Sequence, residues 1–414
     1  LFAETLEVPE GLKIRTIHSF CESLLGRFPL EANIAPHFSV IDERTAAELR
    51  AEARDRLLAG ALDDASGPLA GSLEHLAALV DEAAFATVIG ELDTHRGRLG
   101  RLIENHGGLN GLLGAVCDAL GVKADETTDS VIADACAAGV FDELGLHRAA
   151  AALEKGSRRD QERAATIRAW LEDTDGREKI FSGTYDRLFL TKEGAPRSEK
   201  TLMTKAVRDA EPGIFEVLIE EQARIVAVHE RLRAVAVAAS TTALLTIGEA
   251  LLAAYGVLKD ERALLDYDDL IGAARRLLGD ESQAAWVHYK LDGGIDHILV
   301  DEAQDTSPEQ WRIVAALAQE FFAGTGSRET RRTVFAVGDE KQSIFSFQGA
   351  DPDAFTAMHR HFEGRATAAG EGWRSVELAK SYRATATVLD CVDRVFANEA
   401  AGAGVVAAGG ALRH

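Results

Sequence analysis

Two adjacent carboxylates follow a short apolar run in the second half of the chain. The run Ile298-Leu299-Val300 ends at Asp301 and Glu302. Such a run is typical of a buried parallel strand, and ligands of open α/β sheets bind beyond the carboxyl ends of the strands. One carboxylate can hold Mg²⁺, and the next can orient and deprotonate a water for attack on a phosphate. A strand that ends in a solvated acidic turn is the alternative.

A second β-rich run also ends in a carboxylate. Residues 333–337 read Thr-Val-Phe-Ala-Val and are followed by Gly338 and Asp339. Pro308 begins a predicted helix that runs to Phe322 and joins the two strands. Two strands joined by a helix form a βαβ unit, and its switch point would hold a nucleotide.

The loop after Asp339 combines an amide with two aromatic rings. Gln342 is followed by Phe345 and Phe347. Aromatic side chains stack on unpaired bases, with about 1–3 kcal/mol for each base and without sequence preference. This loop therefore predicts groups for a terminal phosphate and for a single strand within a few residues. Packing of both rings in the core is the alternative.

Small hydrogen-bonding side chains lie near the start of the chain. The alternation from Leu12 to Ile17 predicts a half-buried strand that leads into a helix. Thr16, His18 and Ser19 lie at this transition, and side chains of these types contact phosphate and sugar oxygens. A helix cap explains the pattern about as well.

One arginine follows the last predicted strand. Residues 376–383 predict a strand and a turn that ends at Arg383. An arginine in this place can reach across a domain cleft to a phosphate, as arginine fingers do. A surface ion pair is the alternative.

The elements that position these residues fall into four segments. We expect residues 1–42 and 240–372 to form one sheet-containing domain, with residues 373–414 as the start of another. Residues 43–239 have apolar residues at three- and four-residue spacing, which predicts an all-helical insertion. Separate helices are expected over residues 214–232 and 244–258, and Asp266 is expected to cap the helix that follows. The fold class predicted is α/β.

Composition narrows the class of protein. The 414 residues are 46% hydrophobic and 27% charged, which is typical of a globular protein. No run of 18 apolar residues occurs, so no membrane span or membrane partner is expected. The four cysteines are far apart in sequence and predict neither a zinc site nor a disulfide framework, which fits a reducing cytoplasm. The first residue is Leu1, and we expect the chain to be part of a longer protein.

Charge is unevenly distributed along the chain. The net charge of −22 argues against a simple basic nucleic-acid-binding domain, although only the face that contacts phosphate must be positive. Residues 176–208 hold 8 Lys and Arg against 4 Asp and Glu. If the helical insertion contacts a duplex, this basic window is the expected place, and a solvated loop of mixed charge is the alternative.

Five stretches in this order resemble the UvrD/Rep-type superfamily-one DNA helicases. They are residues 16–20 (Thr-Ile-His-Ser-Phe), 265–270 (Leu-Asp-Tyr-Asp-Asp-Leu), 300–305 (Val-Asp-Glu-Ala-Gln-Asp), 337–351 and 381–383 (Ser-Tyr-Arg). The size of the insertion and the wording of the Gln342 loop are most similar to the AddA-type helicase–nuclease subunits, which are related to RecB.

The resemblance implies a fold and a set of roles. It implies a RecA-like P-loop NTPase motor core, with a parallel sheet and flanking helices, interrupted by a helical domain that contacts duplex ahead of the motor. Asp301 would bind Mg²⁺, Glu302 would be the catalytic base, Gln304 and Gln342 would sense the γ-phosphate of ATP, and Arg383 would stabilise the transition state. The residues that would hold single-stranded DNA are Thr16, His18, Ser19, Phe345 and Phe347.

The resemblance further implies 3′ to 5′ movement in double-strand break repair, a bacterial cytoplasmic location, and an AddB-like partner subunit. The sequence departs from the family where Phe347 and Gln348 replace the frequent Trp and Arg. It also lacks the GxxxxGK[ST] loop that cradles phosphates. We expect that loop upstream of Leu1, and the 414 residues alone to be inactive.

Two other classes stay open. A non-catalytic nucleic-acid-binding or partner-docking module would keep the fold without the motor, although it would not need Asp301, Glu302, Gln342 and Arg383 together. A metal-dependent nuclease would use Asp301, Glu302 and Asp339, but it leaves the Gln342 loop without a role.

Overall fold

The computed structural model describes residues 14–279, 281–292, 295–322, 332–339, 342, 351–378, 382–398 and 401. The chain divides into two compact units, and each is described separately below. Unit 1 comprises residues 1–48 and 258–414, and unit 2 comprises residues 49–257.

Helices dominate the described residues. In chain order the regular elements are α1 Ile17–Arg27, β1 Ser39–Val40, α2 Glu43–Asp63, α3 Pro68–Ala77, α4 Glu82–Thr94, α5 Arg96–Asn105, α6 Leu109–Leu120, α7 Thr128–Cys136, α8 Glu143–Leu153, α9 Arg158–Glu172, α10 Arg177–Ile180, α11 Glu199–Leu202, α12 Lys205–Ala210, α13 Gly213–Glu261, β2 Leu264–Leu265, α14 Tyr267–Gly279, α15 Glu281–Asp292, β3 His297–Val300, α16 Pro308–Leu317, β4 Thr333–Ala336, α17 Pro352–Ala369 and α18 Ala386–Phe396. Short 3₁₀ turns lie at Asp186–Leu188, Ala303–Asp305 and Gln319–Phe322.

The strands of unit 1 form two small parallel sheets. Strand β1 pairs with β2, and β3 pairs with β4. The predicted β-strand near residues 38–42 is therefore confirmed at β1. The larger parallel sheet of the predicted α/β class is not confirmed, because each described sheet has two strands between many helices.

The βαβ unit is confirmed, but one face of its sheet is uncovered. Strand β3, helix α16 and strand β4 follow one another, and the two strands are parallel. Trp311 and Phe362 are buried on one side of the pair, in the cluster that Ile298 and Val334 join. On the other face Leu299 is 70% exposed beside its register partner Phe335. The expectation of a fully buried strand is therefore wrong for Leu299, since no layer of described residues covers this face.

Helices α1 and α14 form the second core of unit 1. Cys21, Leu24 and Leu25 of α1 pack with Leu270 and Ala274 of α14. Burial raises the pKa of the Cys21 thiol to about 12, so this cysteine stays a neutral core residue at physiological pH.

Two predicted boundaries in unit 1 have different outcomes. The strand expected over residues 12–17 is wrong over its described part, because Ile14 is 84% exposed and α1 begins at Ile17. The cap at Asp266 is confirmed: its carboxylate accepts from the backbone N–H of Asp269 at 2.9 Å, and Asp269 accepts from the N–H of Asp266 at 2.9 Å.

The strand expected near Arg383 is also absent over its described part. Residues 371–378 have no regular structure, and Val376 and Leu378 are 74% and 81% exposed. An apolar–polar alternation forms a strand only where another strand pairs with it, and no described strand lies beside these residues.

Unit 2 contains most of the long helix α13. The two helices predicted over residues 214–232 and 244–258 are one continuous helix from Gly213 to Glu261. The β-branched residues that suggested a break lie in the helix interior, where Val235 and Ile247 are buried. Tertiary packing overrides their low helix propensity. By length and composition alone α13 is able to cross a membrane, but a core helix of a globular unit passes the same test.

An aromatic core connects α9, the kinked turn at Phe181–Tyr185 and α13. The rings of Trp170 and Tyr185 stack with centroids 3.9 Å apart. The Tyr185 hydroxyl donates to Glu221 at 2.7 Å, and Arg224 pairs with the same carboxylate. Burial and the adjacent Glu221 charge raise the pKa of Tyr185 far above its ordinary value, so the hydroxyl stays a donor.

The short hairpin expected near residue 190 is confirmed. Leu190 and Pro196 form an antiparallel bridge. Gln222 of α13 holds the hairpin, because its amide donates to the carbonyl oxygens of Phe189 at 2.8 Å and Arg197 at 2.9 Å.

Candidate functional site

The parallel strands β3 and β4 bring two chain segments to the same edge of the sheet. Val300 is in register with Ala336. The pairing continues beyond the strands, because the N–H of Val337 donates to Val300 and the N–H of Ala303 donates to Val337, both at 2.9 Å. The turn that carries Asp301 and Glu302 therefore lies beside Gly338 and Asp339.

Asp301 and Glu302 present two exposed carboxylates at this edge. The backbone N–H of Glu302 donates to the Asp301 carboxylate at 3.0 Å. Glu302 has φ 49° and ψ 47°, which is the left-handed region, and few residues other than glycine adopt it. This conformation turns the chain sharply after Asp301 and leaves both side chains outside the core.

Gln304 is buried at the centre of the site and is 1% exposed. Its amide nitrogen donates to the Glu302 carboxylate at 2.8 Å and lies 3.4 Å from the Asp305 carboxylate. Its amide oxygen accepts from the backbone N–H of Asp339 at 2.9 Å. The resemblance implies contact with a γ-phosphate, but the contacts that this side chain makes in the structure are to protein. A role as phosphate sensor stays a prediction.

Gly338 allows the two segments to approach closely. A Cβ atom at this position would lie 2.5 Å from the amide oxygen of Gln304 and 3.0 Å from the backbone nitrogen of Ala303. Any side chain would therefore push the Gln304 amide away from the strand end. The sequence analysis did not identify this residue as part of the site, although a glycine that directly follows a strand is a signal of close approach.

Gln342 is joined to the same group of residues. Its exposed side-chain amide donates to the Asp339 carboxylate at 2.9 Å, and its backbone N–H donates to the Asp339 carbonyl at 2.9 Å. The site is therefore one hydrogen-bonded chain: Glu302, Gln304, Asp339 and Gln342. Phe345 and Phe347 lie outside the described residues.

The start of α1 lies next to the site. Ile17 packs against the cluster that contains Ala303 and Trp311. Thr16 caps the helix, because its hydroxyl accepts from the N–H of Ser19 at 3.2 Å. The helix-cap interpretation of Thr16 is therefore confirmed, and DNA contact by the exposed Thr16 and Ser19 stays a prediction.

His18 is half-buried beside a ring of the neighbouring helix. Its imidazole meets Tyr267 edge to face, with centroids 5.1 Å apart. Burial lowers the pKa of His18, and the charge of Asp268 opposes this shift only in part. His18 is therefore neutral at physiological pH, and it would contact a strand as a hydrogen-bonding group rather than as a cation.

Arg383 is exposed and forms no ion pair with a described acidic residue. The surface ion pair that was its alternative role is not observed in this part of the chain. The structure does not bring Arg383 into contact with Glu302 or Gln342.

The donor set at the sheet edge fits Mg²⁺ better than a softer metal. Asp301 and Glu302 offer carboxylate oxygens, and Mg²⁺ usually takes one or two carboxylates together with waters and substrate phosphates. Among the residues that the structure describes, no group of three His, Cys, Asp or Glu side chains is arranged to hold a metal by itself. His359 and His361 instead contact the rings of Trp373 and Phe362.

The basic window of unit 2 divides into two kinds of residue. Its arginines contact the protein itself: Arg187 donates to Thr191, Arg197 donates to Arg187, and Arg208 lies over the Phe215 ring. Its lysines are exposed, namely Lys179, Lys192, Lys200 and Lys205. Only the lysines are therefore available for a phosphate backbone.

Arg177 is the most deeply buried member of the window, at 2% exposed. Its guanidinium donates to the last-turn carbonyls of α9, at Trp170 (3.0 Å) and Leu171 (2.9 Å). It also lies over the Phe141 ring at 5.1 Å. Arg177 therefore closes the end of α9 and cannot serve as a DNA contact.

We expect Arg177→Met to lower the free energy of unfolding by about 3 kcal/mol, because two buried carbonyls lose charge-assisted hydrogen bonds. Urea unfolding followed by circular dichroism measures this loss. Lys179→Met, an exposed change in the same short helix, is the matched control and should stay near wild type. Equal, small losses for both variants would contradict the capping role.

Comparison with known proteins agrees with the geometry of this site. The profile of the UvrD/REP helicase N-terminal domain matches residues 3–363. Curated relatives are each named as one of the subunits of an ATP-dependent helicase/nuclease. The protein of Exiguobacterium sibiricum is 31% identical over 153 residues, which are 37% of this chain and 12% of the relative.

Two further relatives have the same name. The protein of Listeria monocytogenes (strain EGD-e) is 30% identical over 138 residues, 33% of this chain and 10% of the relative. That of Desulfitobacterium hafniense (strain DCB-2) is 30% identical over 143 residues, 34% of this chain and 10% of the relative. The matched part thus covers about a tenth of the length of these curated relatives.

Proposed function

This chain belongs to the UvrD/REP helicase family, and we propose that it is part of the motor of an ATP-driven DNA helicase that acts in double-strand break repair. The observation that carries the proposal is the hydrogen-bonded chain from Glu302 through Gln304 and Asp339 to Gln342. It joins an exposed acidic pair to an exposed amide at the carboxyl ends of two parallel strands, where nucleotides bind.

The proposed division of roles follows from the chemistry of each side chain. Asp301 would hold Mg²⁺, which when bound neutralises the charge of the phosphates. Glu302 would accept a proton from the attacking water. Gln342, a neutral donor and acceptor, would contact the terminal phosphate. Arg383 would stabilise the charge that develops on the transferred phosphoryl group.

Single-stranded DNA is the proposed track. Thr16, His18 and Ser19 lie at the start of α1, beside the same core cluster as the acidic turn. Phe345 and Phe347 follow Gln342 in sequence, so rings for base stacking would be close to the phosphate-sensing amide. We propose that the helical insertion, residues 43–239, contacts duplex at the junction through exposed lysines of its basic window.

Further properties of the complete protein are proposed from its relatives' names. We propose 3′ to 5′ translocation, a bacterial cytoplasmic location and an AddB-like partner subunit. We keep the segment boundaries proposed above, with the first motor domain formed by residues 1–42 and 240–372 and the second beginning at residue 373.

The test of this function is unwinding by the complete protein. A duplex with a 3′ single-stranded tail should be separated with ATP and Mg²⁺, and a duplex with a 5′ tail should not. DNA binding without ATP-dependent strand separation would instead favour the non-catalytic module. DNA cleavage that needs Mg²⁺ but no ATP, and that is lost in Asp339→Asn, would favour the nuclease.

We expect the 414 residues alone to show no DNA-stimulated ATP hydrolysis, because no GxxxxGK[ST] loop occurs in their sequence and backbone N–H groups of that loop cradle the phosphates. A coupled phosphate-release assay with and without single-stranded DNA measures this. The complete protein is the positive control, and turnover by the 414 residues would contradict the expectation.

We expect Phe347→Ala to weaken binding of single-stranded DNA by about 1–3 kcal/mol through loss of one base stack. Fluorescence anisotropy with labelled oligo-dT measures the change in Kd. Tyr289→Ala removes a ring that is 73% exposed elsewhere in unit 1 and is the matched control. An unchanged Kd would place Phe347 in the core instead.

A further inference from the structure

We propose that Gln304 is a positioning residue that holds the carboxylate of Glu302 and ties it to the Asp339–Gln342 turn. This inference rests on the proposed function, because it concerns how the base and the phosphate-sensing amide of that site are kept in register. It gives Gln304 a role distinct from contact with the nucleotide.

The first support is that the Gln304 amide is engaged at both ends. The nitrogen donates to Glu302 at 2.8 Å and contacts Asp305 at 3.4 Å, while the oxygen accepts from Asp339 at 2.9 Å. An amide nitrogen has two N–H donors, so both have acceptors within the site. With 1% of the residue exposed, little of this group is open to a ligand.

The second support is that the orientation of the amide is fixed. A backbone N–H only donates, so the atom of Gln304 that faces Asp339 must be the oxygen. The nitrogen is therefore directed at Glu302, where it can meet only the ionised, accepting form of the carboxylate. Gln304 thus selects both the position and the charge state that a general base needs.

The third support is the contact with Gly338. The backbone of this glycine lies so near the Gln304 oxygen that a Cβ would approach it to 2.5 Å. The strand end is therefore shaped around the Gln304 amide. A displacement of the Asp339 turn, which also holds Gln342, has to move this amide and with it the Glu302 carboxylate.

The consequence is mechanical coupling within one short path. Gln342 precedes the rings proposed to hold DNA, and Glu302 is the proposed base. Because Gln304 joins the two segments, a change in the loop on DNA binding alters the placement of the base. Stimulation of ATP hydrolysis by DNA should then depend on Gln304.

The test uses three variants in the complete protein. Gln304→Met fills the space without hydrogen bonds and should lower kcat about tenfold to a hundredfold through misplacement of the base, with loss of DNA stimulation and little change in KM for ATP. Gly338→Ala displaces the amide without altering Gln304 and should give the same result. Gln310→Glu is the control, because it adds a charge at a helix-cap position that glutamate also occupies well.

Gln304→Glu separates positioning from a general structural role. It places a second carboxylate against Glu302, and two like charges raise the pKa of the pair. The base then needs a higher pH to ionise, so the acid limb of the kcat profile should move up by about one pH unit or more. In Gln304→Met the limb should stay at the wild-type pH while kcat falls.

Amide hydrogen exchange gives a readout that does not depend on activity. Exchange at Asp339 should become at least about tenfold faster in Gln304→Met, because its N–H loses its acceptor. Wild-type kcat, DNA stimulation and Asp339 exchange in Gln304→Met would overturn the proposal. If the wild-type protein shows the Asp339 protection but no ATP turnover, the proposed function fails and the tie between the segments stands.

Discussion

Glu302→Gln in the complete protein is expected to lower kcat for ATP hydrolysis by about 10²–10⁴-fold while nucleotide binding is retained. The amide oxygen of the new side chain still accepts from Gln304, which in the present structure donates to the Glu302 carboxylate at 2.8 Å. The turn should therefore keep its shape, and the change removes only the capacity to accept a proton. Phosphate release measures turnover, and a fluorescent ATP analogue measures binding.

The control for this result is Glu320→Gln, which neutralises an exposed carboxylate in the same unit. It should leave both turnover and binding at the wild-type level. Wild-type hydrolysis by Glu302→Gln would remove Glu302 as the base. Loss of nucleotide binding would instead indicate that the carboxylate supports the nucleotide directly.

The second large effect is expected for Arg383→Ala, with kcat lowered by about 10³–10⁵-fold and ATP affinity changed much less. The reason is that an arginine finger stabilises charge that appears only in the transition state. Arg383→Lys should rescue little of the activity, since a lysine lacks the planar fork of donors that meets two phosphate oxygens. Single-turnover kinetics with saturating ATP measure the effect.

Arg360→Ala is the matched control, because Arg360 is exposed on α17 in the same unit. If Arg383→Ala lowers activity by no more than this control, Arg383 acts as a surface residue. The exposure of Arg383, without an ion pair to an acidic residue in the described ranges, is compatible with either result.

The sequence was sufficient to predict which segments meet at the site. Apolar runs that end in Asp301 and Gly338, with a helix between them, predict parallel strands whose carboxyl ends lie together. The register of β3 with β4 confirms this. A short apolar run and a Pro at the helix start are local signals, so they are readable without knowledge of the fold.

The direction of individual side chains was less predictable. Gln304 lies between exposed acids in sequence, yet the left-handed turn at Glu302 directs it inward. Arg177 contributes to a positive count, yet its guanidinium closes a helix end inside an aromatic core. Both outcomes depend on partners that are distant in space or on one unusual backbone angle, and neither is encoded in residue type.

Long-range packing also decided the length of α13. The Val and Thr residues near position 237 disfavour a helix locally, but buried contacts of Val235 and Ile247 outweigh that preference of a few tenths of a kcal/mol per residue. Sheet size could not be predicted from periodicity, because the exposed Leu299 has the same sequence signal as a covered strand residue.

The left-handed backbone of Glu302 has a consequence for protein engineering. A residue with a side chain costs about 1–2 kcal/mol in this conformation, and glycine relieves that cost. A selection that rewards heat tolerance alone would therefore favour glycine at position 302. Variants of this kind would resist heating better and lose the proposed base, so position 302 should be held constant in any such campaign.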